Sequence, residues 1–273
     1  NEFSWWLHSN YPMNIVNQPM NDTNLMDNAA HEAKYENNAQ NYPDLRVAPL
    51  WLRIVSFLTY AACLVVNGVV GVAGPNSAGA VSAKYQLWVT PPGYTFSVWG
   101  VIYVFYGIAV LYAVIKNCWS VRSWLIFDGI NLFNALWIGV WSLATDPAIE
   151  ACLFLIVMLP VGLLWLWYEL YQPECDDWKY YFTRNSVAFY LGWTIAATFL
   201  NVGAICVYPG QVPQKNYTIA FWVVVPLVAI AVTIVNIKLQ GMNGFKSCFC
   251  AWLTVLWALG NALVTTLTYK EFL

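Results

Sequence analysis

Residues 151–170 read ACLFLIVMLPVGLLWLWYEL, a stretch of twenty residues with a single charge, Glu169, next to its end. About 20 apolar residues in a helix cross the ~30 Å hydrocarbon core of a bilayer. Stretches of the same kind recur along the chain, and we read membrane helices over 51–73, 95–115, 121–143, 150–172, 182–207, 217–237 and 248–268. The expected fold is an all-α membrane protein of about seven transmembrane helices. Pro160 and Pro226 fall inside the fourth and sixth and predict kinks that neighbouring helices tolerate. Loops are short except 74–94, which carries GPNSAGA and then Pro91-Pro92-Gly93, a proline pair suited to the first turn of a helix.

Composition agrees with the helices. Of 273 residues, 60% are hydrophobic and 10% charged, and the mean hydropathy is +0.54. A soluble domain carries roughly a quarter charged residues. The net charge of -2 speaks against nucleic-acid binding. Many of the 16 Trp and 17 Tyr fall near helix ends, where aromatic rings favour the bilayer interface.

Basic residues orient the chain. With seven spans, the amino terminus shares one side with the loops after the second, fourth and sixth. Counting helix ends, that side holds nine Lys and Arg residues against three (Lys84, Lys215 and Lys270) opposite. The amino terminus is therefore expected on the cytoplasmic or equivalent side.

Residues 1–48 are polar, rich in Asn and net acidic, a composition that does not bury enough apolar surface to fold alone. We expect a docking element for another membrane subunit or a second copy of the chain, anchored by Trp5 and Trp6. The chain opens on Asn1 rather than Met, so an upstream piece is expected, and FSWWL (3–7) is too short for the apolar core of a signal peptide.

The spans offer little ionic chemistry. Both histidines, His8 and His31, lie in the tail, which argues against histidine-ligated haem or metal within the membrane. Asp128 is expected near the interface, paired with Arg122 or water. No nucleophile or general-base constellation is visible, and the seven Cys are scattered.

What the helices do carry is uncharged polarity beside aromatics. Trp99, Tyr103 and Tyr106 share one face of the second helix. Asn131, Asn134, Trp137 and Trp141 form a stripe on the third, and Tyr190, Trp193, Ala197 and Asn201 one on the fifth. An Asn in hydrocarbon is costly unless bonded, so these faces should point into the bundle. Two readings stand. Either the Asn residues are interhelical glue, each worth about 0.6 kcal/mol, among packed Trp, or the faces enclose an aromatic pocket for a flat apolar ligand.

The same faces carry a family resemblance. TPPGYTFSVWGVIY (90–103), FNALW (133–137) and GWTIAATFLN (192–201) resemble, in order, the second-, third- and fifth-helix motifs of the translocator protein / tryptophan-rich sensory protein family. The resemblance covers about 51–207 and leaves the tail and the last two helices outside the common pattern. Within it, Phe96 and Trp99 stand one residue closer than usual, Phe133 replaces a Leu, and Gly192 replaces a Tyr-rich approach to the fifth-helix Trp.

The resemblance implies three regions: the tail (1–48), a five-helix tryptophan-rich bundle (49–207) and two additional helices (208–273). Members bind porphyrins and sterol-like or drug-like lipophiles between the five helices. Trp99 and Trp193 match positions implicated in tetrapyrrole handling, and Asn134 and Asn201 match the motif Asn positions. The expected function is binding of a planar lipophile (tetrapyrrole, sterol or lipid) by Trp99, Tyr103, Asn134, Trp137, Trp193 and Asn201, with loop 74–94 as lid. The alternative is an accessory subunit of a larger membrane assembly. Membrane lipids are partners in either case.

Overall fold

The computed structural model describes residues 48–170 and 178–269. Trp5, Trp6 and the rest of the proposed docking tail up to residue 47 lie outside the described residues.

Seven helices are long and apolar enough to cross a membrane: Leu50–Val72, Gly93–Lys116, Val121–Trp141, Asp146–Glu169, Tyr181–Val207, Gln214–Val235 and Phe249–Thr268. They are called here the first to seventh spans. No strand occurs among the described residues. The first span packs on the second and third, the third on the fourth, the fourth on the fifth, and the fifth closes on the second. These five spans form a ring. The sixth and seventh pack together on the outside of the fifth. Large apolar side chains such as Leu58, Val104, Leu132, Phe154 and Leu227 point outward, exposed, as a lipid-facing surface requires.

The helix ends follow local chemistry. Ser120 caps the third span by accepting from the Ser123 backbone N–H at 3.0 Å. Asn117 ends the second in the left-handed conformation (φ 53°), a backbone state Asn tolerates. The fourth span begins at Asp146, four residues before the expected 150, because Pro147 fits its first turn.

Two loops differ from expectation. Loop 74–94 contains a helix, Ala78–Lys84, capped by Ser77, whose hydroxyl accepts from Ala80 N. Residues 238–247, expected as the loop between the sixth and seventh spans, have helical backbone within a continuous run, Gln214–Thr268. That run nevertheless folds back on itself. Trp252 Nε1 donates to Thr233 Oγ1 at 2.9 Å across nineteen residues, which a straight helix would separate by about 28 Å.

At the end where the first span begins, Arg53 donates to the Val114 carbonyl at 2.6 Å, and Arg122 pairs with Glu169 at 3.3 Å while lying over the Trp165 ring. Asp128 is not paired with Arg122. Its carboxylate accepts from Ser56 Oγ at 2.8 Å and Thr59 Oγ1 at 2.7 Å, both on the first span. Packing of the first span on the third supplies these hydroxyls inside the bundle, so Asp128 has no need of the surface cation.

Candidate functional site: a tryptophan-lined chamber under a short helix

At the opposite end of the ring, the second, third and fifth spans bring their aromatic faces together around Trp99. Its ring stacks on Tyr103 (centroids 5.6 Å apart, planes 25°) and lies 5.8 Å from Trp137. It meets Tyr190 and Trp193 edge to face at 5.8 and 6.0 Å. Such offset and edge contacts match the quadrupoles of the rings. Trp137 in turn stacks on Trp141, and Phe96 meets Trp193 edge on. Residues 99 and 103, 137 and 141, and 190 and 193 are three or four apart, so helical geometry alone sets each pair on one face.

Between these rings and the helix Ala78–Lys84 lies a cavity of about 30 Å³. Trp99, Trp137, Trp193 and Asn201 line it, with Phe96 and Trp141 beside them and Ala78, Ser82 and Tyr85 as its roof. Ala197 and Ala204 on the fifth span leave the space that larger side chains would fill. No residue of the sixth or seventh span lines it.

Of the six residues read from the sequence, four therefore meet at the cavity. Tyr103 and Asn134 lie beneath, in a buried polar layer. The Asn134 amide donates to the Tyr190 hydroxyl, accepts from Asn67 Nδ2 at 2.7 Å, and lies 3.4 Å from the Tyr103 hydroxyl. Asn201 accepts from Trp137 Nε1 at 3.3 Å and donates to the Ala197 carbonyl. Both Asn residues thus act as glue between spans, and Asn201 also forms wall. Trp193 Nε1, fully buried, has no hydrogen-bond partner among the described residues.

The six residues read as the site left out Asn67, Tyr190, Trp141 and Phe96, although Tyr190 and Trp141 lie on the aromatic faces read from the sequence. The last three stand in or beside the motifs already singled out. Asn67 needs the structure: it opens a π-helical turn, Asn67–Val72, that ends the first span. π-turns cluster at functional positions.

The roof is fastened to the turn after the third span and to the first residue of the fourth. Lys84 Nζ donates to the Ala144 carbonyl at 2.5 Å, and the Tyr85 hydroxyl donates to Asp146 Oδ1 at 2.8 Å. Ala144 is held at φ 53°, unfavourable for a residue with a Cβ. Burial pushes the Tyr85 hydroxyl up to about 12, and the hydrogen bond and charge of Asp146 add in the same direction. That hydroxyl remains a donor through the neutral range. Among the described residues, no group of three or more His, Cys, Asp or Glu is placed to hold a metal ion.

The family model described as TSPO-like protein matches residues 53–269. That match runs past 207 and includes the sixth and seventh spans, which the motifs alone had left outside. No curated protein and no solved structure matches the chain.

Proposed function

The chain belongs to the TSPO-like protein family, and from that premise we propose that its tryptophan-lined chamber binds a planar lipophile. A tetrapyrrole is the first candidate, a sterol or membrane lipid the next. The convergence of Trp99, Trp137 and Trp193 from three spans on one cavity carries this reading. Flat apolar ligands stack on such rings, and Trp193 Nε1 offers a buried donor to a ligand oxygen.

Volume dictates how binding proceeds. The cavity measures about 30 Å³, against the roughly 300–1,000 Å³ of typical ligand sites. A macrocycle enters only if the roof, 78–85, moves away. The bonds of Lys84 and Tyr85 then break, and binding energy must offset their loss. The test is titration of the full-length protein in nanodiscs with protoporphyrin IX, followed by its absorbance. We expect saturable binding, weakened about two- to twelve-fold by Trp99→Leu or Trp193→Leu, the equivalent of 0.5–1.5 kcal/mol per aromatic contact. No saturable binding, or the same affinity in parent and both variants, overturns the proposal.

The small volume of the cavity, about 30 Å³, favours a second reading, an accessory subunit that docks other membrane proteins and has no ligand of its own. It predicts absence of saturable porphyrin binding together with co-migration in a larger native complex. For orientation, we place the amino terminus on the side with nine of the twelve basic residues, so that the chamber opens on the opposite face. With Cys118, Cys175 and Cys248 replaced by Ser, Ala80→Cys should react with an impermeant thiol reagent from that face. Reaction from the amino-terminal face overturns the assignment.

A further inference from the structure

The segment that roofs the chamber is held in two unlike ways along its length. Residues 76–85 carry mostly small side chains. Val81 and Tyr85 are buried against the core of the five-span ring, and the polar bonds to the turn into the fourth span come from side chains: Asn76 to the Ser142 carbonyl, Lys84 to that of Ala144, and Tyr85 to Asp146. Residues 86–89 are held by the fifth-to-sixth connection and by the last two spans. Leu87 and Val89 are buried, at 1% and 0% exposure, in an apolar cluster with Tyr217, Phe221, Val225 and Ala262, separate from the core of the five-span ring.

Their backbone is gripped as well. The Gln86 carbonyl accepts from Tyr208 at 2.7 Å and from Gln214 Nε2 at 3.0 Å. The Trp88 N–H donates to Gln214 Oε1 at 3.2 Å, and its carbonyl accepts from Thr266 Oγ1 at 3.0 Å. The Trp88 ring stacks on Tyr269, centroids 5.6 Å apart. Gly203 completes the seat, since a Cβ there would come within 2.5 Å of Leu87 and 2.4 Å of Tyr217.

We propose that the sixth and seventh spans are the fixed jaw of the lid: they clamp residues 86–89 as its hinge and leave 76–85 as the leaf that swings off the chamber. The five-span ring supplies the chamber wall, and the added pair of spans decides where its cover bends. This rests on reading 78–85 as the cover of a ligand chamber. The leaf swings away once three side-chain bonds break and Val81 and Tyr85 leave the ring, whereas residues 86–89 are gripped at four backbone bonds in addition to their buried side chains.

Hydrogen exchange resolved to single amides, on the full chain in nanodiscs with no ligand added, tests the hinge. Val81 and Tyr85, whose amides bond within the leaf, should exchange at least about tenfold faster than Thr90, whose amide bonds to the Leu87 carbonyl. Lys84→Met should speed the leaf alone. Thr266→Val and Gly203→Val should each raise Thr90 exchange toward the leaf's rate while the first four spans keep theirs. Thr90 makes no bond to either mutated residue, so direct loss of a partner does not produce that result.

Equal rates at Val81, Tyr85 and Thr90 in the parent overturn the hinge, as does unchanged Thr90 protection in both clamp variants. The outcome is independent of porphyrin. Split protection with no porphyrin binding keeps the hinge and removes the ligand, and saturable binding with equal rates does the reverse.

Discussion

The two faces of the fifth span are packed by opposite means. Its inner face sets Tyr190, Trp193 and Asn201 against rings and amides of the second and third spans, and leaves a cavity. Its outer face meets the seventh span with Gly192 so close that a Cβ would lie 2.2 Å from the Ala251 carbonyl oxygen, and Thr254 Oγ1 donates to the Phe189 carbonyl at 2.9 Å. Small residues let backbones approach, and an interhelical hydroxyl bond fixes the contact, as membrane helices require when lipid supplies no hydrophobic drive. At Gly192 the outer seam is close to backbone against backbone, with Thr254 Oγ1 also within 2.3 Å of a Cβ there, and a smaller cavity of about 20 Å³ lies beside it among Leu191, Ile195, Val232 and Trp252. The inner face is side chain against side chain, and rings can separate without moving a helix.

Substitutions at the two faces should differ accordingly. The largest effect is expected of Gly192→Leu, because the Ala251 carbonyl cannot yield without moving the seventh span. Overpacking of this kind typically costs about 1–3 kcal/mol, and this site belongs at the upper end. Detergent unfolding should show it, and a near-parental midpoint would mean that the seam is looser than the close approach implies. Asn134→Leu is next. It keeps the volume but strands the Tyr190 hydroxyl and leaves the Asn67 amide only its bond to Cys63, for a loss of about 2 kcal/mol in the same assay. A neutral result would show that water or a rotamer change replaces the bonds.

Much of this was legible in the sequence. Each span announces itself by a run of about twenty apolar residues, and the chamber by Trp and Asn at helical spacing on three of them. The rest depends on contacts between distant segments. Nothing beside Asp128 in sequence points to Ser56 and Thr59 on another span. Asn67 reads as a polar interruption until a π-turn aims it at Asn134. The helix Ala78–Lys84 has a Ser cap but no amphipathic period to reveal it, and LQGMNGFKS reads as a loop because Gly and polar residues have poor helix propensity, which its place between two packed spans overrides. The grip of the last two spans on residues 86–89 joins positions more than 120 residues apart.

Smaller effects sharpen the contrast. Trp137→Phe removes the donor to Asn201 but keeps a ring in the wall, and should cost about 1 kcal/mol of stability. Tyr85→Phe removes the buried hydroxyl that bonds Asp146 and the Ala144 carbonyl. It should cost about 1 kcal/mol or less of stability while accelerating protoporphyrin IX uptake in stopped flow. Uptake at the parental rate would mean that the roof does not gate the chamber.

The most direct measurement is anomalous diffraction from crystals of the full chain grown with zinc protoporphyrin IX. Binding in the chamber predicts one zinc peak among Trp99, Trp137 and Trp193, with residues 78–85 displaced and 86–89 still seated against Tyr217 and Thr266. A peak only on the lipid-facing surface, or none with the rings closed as they are here, would contradict it.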